Sequence, residues 1–273
     1  MKYKINHDIH IHSMLSICSC DEEQDKYAIL DYAEKNGYDY VCVTDHCWSS
    51  EVPCHLDFFN NNLGWHKLNR NVIQNIEHVE SIKPLPQSEK VKFYFGCETD
   101  LDDTRVLGLR KEDFDKFDFV NVSVDHLHMY PFVSIEESIR EYVDKIDKVL
   151  DMDLPFHKIG LAHLTIHYLA PKGQWIEVVR GVSNELYKKL FTKVAKVGVG
   201  IELNAYEFDK NICTDEEIEE SLRVFGIAKQ CGCKFYLGSD THFPKDFARA
   251  KPSFTFAVEK LGLTEADKFN PFN

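Results

Sequence analysis

Two histidines, His10 and His12, flank Ile11 at the end of the apolar run Lys4–Ile11. Side chains alternate along a β-strand, so residues two apart project from one face. A pair of imidazoles placed this way can share a metal ion. Alone the pair is a weak signal, because paired histidines also line ordinary polar surfaces. Recurrence gives it weight. Further ligand types follow the other apolar runs: Thr44-Asp45-His46, Cys97-Glu98-Thr99-Asp100, Asp125-His126-Leu127-His128, Ala162-His163, Glu202 with Asn204, and Ser239-Asp240-Thr241-His242. Imidazole and carboxylate together suit zinc, iron or manganese, and a carboxylate can bridge two ions. Singly, Asp45 reads as a helix cap, Glu98 as a rim carboxylate and His163 as a hydrogen-bonded histidine. Jointly they point to a metal centre.

The elements that must position these residues are short and apolar. Seven runs read as strands: Lys4–Ile11, Tyr38–Thr44, Val91–Cys97, Phe117–Val124, Lys158–Ala162, Gly198–Leu203 and Lys234–Gly238. Several are continuously apolar, as parallel strands buried on both faces must be. Helical patterns lie between them at Asp25–Asn36, closed by Gly37, and at Ile135–Leu150, Val182–Val197 and Glu216–Cys231. Alternating strands and helices imply βαβ crossovers. Without a glycine-rich dinucleotide turn, they predict a closed (β/α)7 TIM-like barrel with its site at the C-terminal strand ends. The chain reads as a single domain, residues 1–273, with a rim insertion at about 48–90. Aromatic residues of that insertion, Trp48, Phe58, Phe59 and Trp65, are candidates for a lid or for packing against the rim.

The composition fits an ordinary globular protein, with 44% hydrophobic and 28% charged residues. No run approaches the length needed to span a bilayer, and Met1-Lys2-Tyr3-Lys4 leads into a strand without a signal-like apolar stretch. Nine cysteines, mostly in apolar runs, predict reduced thiols and a cytoplasmic location. Cys18-x-Cys20 and Cys231-x-Cys233 have spacers too short for a structural zinc knuckle. A formal charge of −13 excludes binding to long nucleic acids more firmly than it excludes one small phosphate ester, because bound divalent ions can reverse the local field.

In their order, Asp8-Ile9-His10-Ile11-His12-Ser13, Thr44-Asp45-His46, Gly96-x-Glu98, the His126 and His163 segments, and Gly238-Ser239-Asp240-Thr241-His242 resemble the successive motifs of the PHP (polymerase and histidinol phosphatase) family. The resemblance spans nearly the whole chain and implies a distorted (β/α)7 barrel. It also implies two or three divalent transition metals, zinc, manganese or iron. His10, His12, Glu98 and Asp240 would hold one; Glu98 would bridge to a second, held also by His126 and His163. His46 and His242 would hold a third, with a ligand six residues after His12. There the chain departs from the family's usual His or Asp: the residue is Cys18, with Asp21 three further on, and either can serve. On the fourth run Asp125 and His128 are alternatives to His126.

The resemblance further implies hydrolysis of a small phosphorylated metabolite, with histidinol phosphate as the leading substrate of a stand-alone chain. Glu98, Asp240 and His242 would carry the catalysis, one of the last two relaying a proton to the leaving oxygen. Arg105 and Arg180 are candidates for phosphate contact. Hydrolysis of a phosphodiester or nucleotide 3′ end, and a non-enzymatic binding module on a degenerate barrel, are the competing readings. The oligomeric state is open, and no membrane partner is expected.

Overall fold

The computed structural model describes residues 1–19, 21–53, 74–129, 134–170 and 173–272. Seven parallel strands form one sheet in sequence order: β1 (His7–Ile11), β2 (Tyr40–Val43), β3 (Lys92–Asp100), β4 (Phe119–Ser123), β5 (Ile159–Leu161), β6 (Gly200–Asn204) and β7 (Lys234–Gly238). All seven expected strands are present, and β3 runs beyond its expected end to carry Glu98 and Asp100 inside the ladder. The sheet curls until β1 meets β7. There Ile11 and Thr241 form a parallel bridge, and Asp240 N donates to His10 O at 2.7 Å. Side chains complete this seam: Asp8 Oδ1 accepts from Ser239 N at 2.9 Å, and His7 Nε2 accepts from Leu237 N at 3.1 Å. The β1–β2 register breaks between Asp8 and Ile11, which distorts the barrel where the two histidines leave it.

Helices cover the outside: α1 (Lys26–Asn36), α2 (Ile76–Glu80), α3 (Ile135–Leu150), α4 (Trp175–Gly181), α5 (Asn184–Val197), α6 (Asp215–Gln230) and α7 (Phe247–Leu261). Local chemistry sets their ends. Asp25 caps α1 by accepting from Tyr27 N and Ala28 N, and Gly37 closes it at φ 67°. Thr214 and Glu217 form a reciprocal capping box on α6. Tyr142, Ile146 and Val149 give α3 one buried stripe. The sequence pattern did not show α4 or α7. The first is too short to establish a period, and Pro252, which cannot donate a backbone hydrogen bond, interrupts the second. Among the described residues of the rim insertion, α2 is the helical part and Trp48 is buried; Phe58, Phe59 and Trp65 lie outside the described residues. No helix is long and apolar enough to cross a membrane among the described residues.

The main core lies between the strands and the helices. A smaller cluster, Ile9, Cys42, Phe119, Tyr236 and Phe269, packs together apart from it. Tyr236 OH donates to Asn121 Oδ1 at 2.7 Å, both groups being buried. Tyr236→Phe should therefore cost about 1–3 kcal/mol by stranding that acceptor. The change reads out as a lower urea midpoint; an unaltered midpoint would mean that the bond contributes nothing.

Candidate metal centre

The strand ends converge as parallel barrel geometry requires. His10 and His12 come from the end of β1, His46 follows β2, and Glu98 lies within β3. His126 follows β4, His163 follows β5, and Asp240 and His242 follow β7. His10 Nε2 and His12 Nε2 stand 3.2 Å apart. Each faces Glu98 Oε2, at 3.3 and 3.2 Å, and Asp240 Oδ1, at 3.6 and 3.1 Å. His46 Nδ1 lies 3.2 Å from the same Glu98 oxygen. The other Glu98 oxygen, Oε1, lies 2.8 Å from His163 Nε2 and accepts from Ser123 Oγ. The two oxygens of one buried carboxylate thus serve different sets of imidazoles.

Outer partners fix how the rings face. His10 Nδ1 donates to Glu202 Oε1 at 2.8 Å, His163 Nδ1 to Asp125 Oδ2 at 2.9 Å, and His126 Nδ1 to Asp100 Oδ1 at 2.5 Å. His12 Nδ1 pairs with Ser16 Oγ at 2.9 Å, and His242 Nδ1 donates to the carbonyl of Asp240 at 2.8 Å. With its outer nitrogen protonated in this way, a neutral ring presents a bare lone pair at its other nitrogen. In His10, His12 and His163 that second nitrogen faces carboxylate oxygens. Acceptors facing acceptors in a water-poor site repel, and a cation at their meeting point removes the conflict. Asp125 Oδ1, buried and without a hydrogen-bond partner among the described residues, adds to the excess of lone pairs. The donor set therefore fits divalent metal.

Among the described residues, four groups bring ligand atoms within 4.8 Å of one another: His12, Cys18, His46 and His242; His10, His12 and Asp240; His10, Glu98 and His163; Asp125, His126 and His163. Cys18 enters the first, whereas Asp21 turns to its own loop and accepts from Glu23 N at 2.9 Å. Of the fourth-strand alternatives, Asp125 and His126 share a group. His128 stacks on Tyr168 instead, ring centroids 4.8 Å apart.

Electrostatics agree with these distances. Burial works to raise the Glu98 and Asp240 carboxyls, yet the positive charge that must face them, carried by protonated rings where no cation sits, holds both well below the usual range. The Cys18 thiol is likewise held low, against burial, by His242, His12 and His46. Two ligand-type residues also sit in the left-handed backbone region, His163 at φ 30° and Asp240 at φ 52°. Glu202 Oε2 takes His163 N at 2.7 Å, and His10 O takes Asp240 N, so packing and hydrogen bonds sustain that strain at the site.

A cavity of about 800 Å³ opens above the cluster. Its wall carries Tyr168, Trp175, Tyr206 and Phe243, with Glu207 and Glu217, and no lysine or arginine among the described lining residues. This corrects the expectation for two arginines. Arg105 is tied to Glu141 at 2.7 Å and Asp144 at 2.6 Å, and Arg180, on α4, reaches across to Glu216 and Glu220. Both face carboxylates of neighbouring helices, a direction that position along the chain does not reveal. Sequence reasoning also missed Tyr168 and the orienting roles of Asp100, Asp125 and Glu202. Carboxylates beside a histidine-rich strand end were the available signal.

Fold and site together define a (β/α)7 barrel with a histidine–carboxylate centre at the C-terminal ends of its strands, the class that the ordered motifs implied. No protein-family model matches the sequence. A probable phosphatase of Thermoanaerobacter sp. (strain X514) is 22% identical over 239 residues, covering 85% of this chain and 78% of the relative. A probable phosphatase of Thermoanaerobacter pseudethanolicus matches to the same extent. Among solved structures, the chain shares its fold with a histidinol phosphate phosphatase from Lactococcus lactis, determined with zinc, L-histidinol and phosphate. The TM-score is 0.59 at 18% identity, over 97% of this chain and 98% of that one.

Proposed function

We propose that this chain is a metal-dependent phosphatase of small phosphate monoesters, with histidinol phosphate as its leading substrate. The observation that carries the reading is Glu98, whose two oxygens face separate imidazole sets as a bridging carboxylate would. His10, His12, Glu98 and Asp240 would hold one ion, and Glu98, His126 and His163 a second. His46, His242 and Cys18 would hold a third. Such ions, whether zinc, manganese or iron, supply charge neutralisation and water made acidic enough to act near neutral pH. Asp100, Asp125 and Glu202 keep the imidazoles aimed inward. Asp240 and His242 line the cavity, and one of them would pass a proton to the leaving oxygen.

The metal positions would compensate the phosphate charge. The aromatic residues and Glu217 suit a leaving alcohol that is flat and cationic, as an imidazole bearing an amine is. The same wall disfavours long polyanions. The nearness of probable phosphatases and of a zinc-bound histidinol phosphate phosphatase supports the assignment.

A panel of phosphorylated metabolites, with metal content measured in the same preparation, tests it. Turnover of a monoester by a metal-loaded sample is expected, with histidinol phosphate preferred over p-nitrophenyl phosphate. No bound transition metal, together with no turnover after reconstitution with zinc, manganese and iron, would reject the reading.

A further inference from the structure

We propose that Cys18 makes the outermost metal position a thiolate site that takes zinc or ferrous iron in preference to manganese, so that the positions of the centre are chemically unlike. The proposal rests on the metal-centre reading above and concerns what this chain does differently within it.

Three of the four ligand groups combine imidazole with carboxylate; the group containing Cys18 has sulfur and imidazole and no carboxylate. His12 Nδ1 lies 3.8 Å from Cys18 Sγ, but each of its ring nitrogens also has a nearer partner. Its Nε2 faces Glu98 and Asp240, and its Nδ1 pairs with Ser16 Oγ. Cys18, His46 and His242 are left as one sulfur and two nitrogen donors. All three line the cavity, which His10 and His12 do not, and the His12 ring stacks against His242 with centroids 4.3 Å apart. Three protein donors at a cavity surface match the donor count of catalytic zinc sites, which keep a coordination position for water or substrate. Soft thiolate selects zinc and iron, whereas nitrogen and oxygen sets accept manganese as well.

The placement of Cys18 is fixed from both sides. Ile17 N donates to Gln74 Oε1 at 2.6 Å, and Ser19 Oγ donates to the carbonyl of His242 at 2.9 Å. Upstream, Ser13 is bound through its amide and its hydroxyl to Asp45, each at 2.6 Å. The loop that carries the thiol is therefore tied to the strand ends that carry His46 and His242. The thiol itself pairs with Ser16 Oγ at 3.1 Å.

The test is stepwise loading of the metal-free protein with cobalt(II), followed by absorption. Wild type should develop a thiolate-to-cobalt charge-transfer band in the near ultraviolet. Cys18→Ser should lose the band and about one metal equivalent, and Cys18→His should keep the equivalent without the band. In zinc–manganese competition, Cys18→His should retain more manganese than wild type. Full cobalt loading of wild type without the band would overturn the proposal and leave the phosphatase reading standing. So would a band that survives in Cys18→Ser, which would trace it to another thiol such as Cys213, which also lines the cavity. Failure to bind any metal would overturn both readings.

Discussion

Glu98→Ala should abolish turnover, by about 10³-fold or more, and should strip more than one equivalent of metal from the protein. Charge and geometry both lead there. The side chain is buried, and its two oxygens lie within 3.3 Å of four imidazole nitrogens from three strand ends: His10 and His12, His46, and His163. Alanine removes both oxygens and leaves lone pairs facing a void. Glu98→Gln keeps the volume but puts an NH₂ where an acceptor is needed, and should lose metal nearly as completely. Metal analysis after dialysis, with circular dichroism to confirm the barrel, decides the matter. A full metal complement in Glu98→Ala would end the bridging assignment.

Glu202→Gln should weaken metal binding by about 10–100-fold while leaving the fold intact. Glu202 serves two donors at once, His10 Nδ1 through Oε1 and the His163 amide through Oε2. An amide has only one oxygen. If that oxygen meets the His163 amide, the NH₂ confronts His10 and forces the tautomer whose inward nitrogen carries a proton. If it meets His10, the strained His163 backbone loses its acceptor. Both outcomes disarm one imidazole. Zinc titration against a competing chromophoric chelator measures the change, and wild-type affinity would show that the carboxylate does not orient these ligands. Gly238 belongs to the same arrangement, because a Cβ there would overlap Glu202 Oε1 and His10 Cβ.

Strand positions were legible because parallel strands buried on both faces leave unbroken apolar runs such as Tyr40-Val41-Cys42-Val43. Residue types at the ends of those runs were legible for the same reason: in a barrel, successive strand ends share one rim. Direction was harder to read. Nothing in the order of residues says that Arg105 turns to Glu141 or that His128 stacks on Tyr168. Division of labour between neighbours is also set only in three dimensions: Asp125 orients His163 while His126 is oriented by Asp100. The choice between Cys18 and Asp21 turned on loop geometry, which Gln74, remote in sequence, helps to fix. Helix α7 escaped notice because Pro252 looks like a terminator, although flanking residues such as Ala250, Phe254 and Ala257 bury a face around it.

The seam between the first and last strands has a further meaning. Few backbone hydrogen bonds join β1 to β7, yet the nitrogen and oxygen atoms that face one another across the gap belong to His10, His12 and Asp240. An ion bound by these three works as a buckle, joining the two ends of a belt that the ladder only partly fastens. Any ligand that binds solely the buckled form stabilises it by mass action, about 4 kcal/mol when present at a thousandfold excess over its Kd. Metal bound there would add to the hydrogen bonds that already close the seam, so that the barrel's stability would rise with metal concentration.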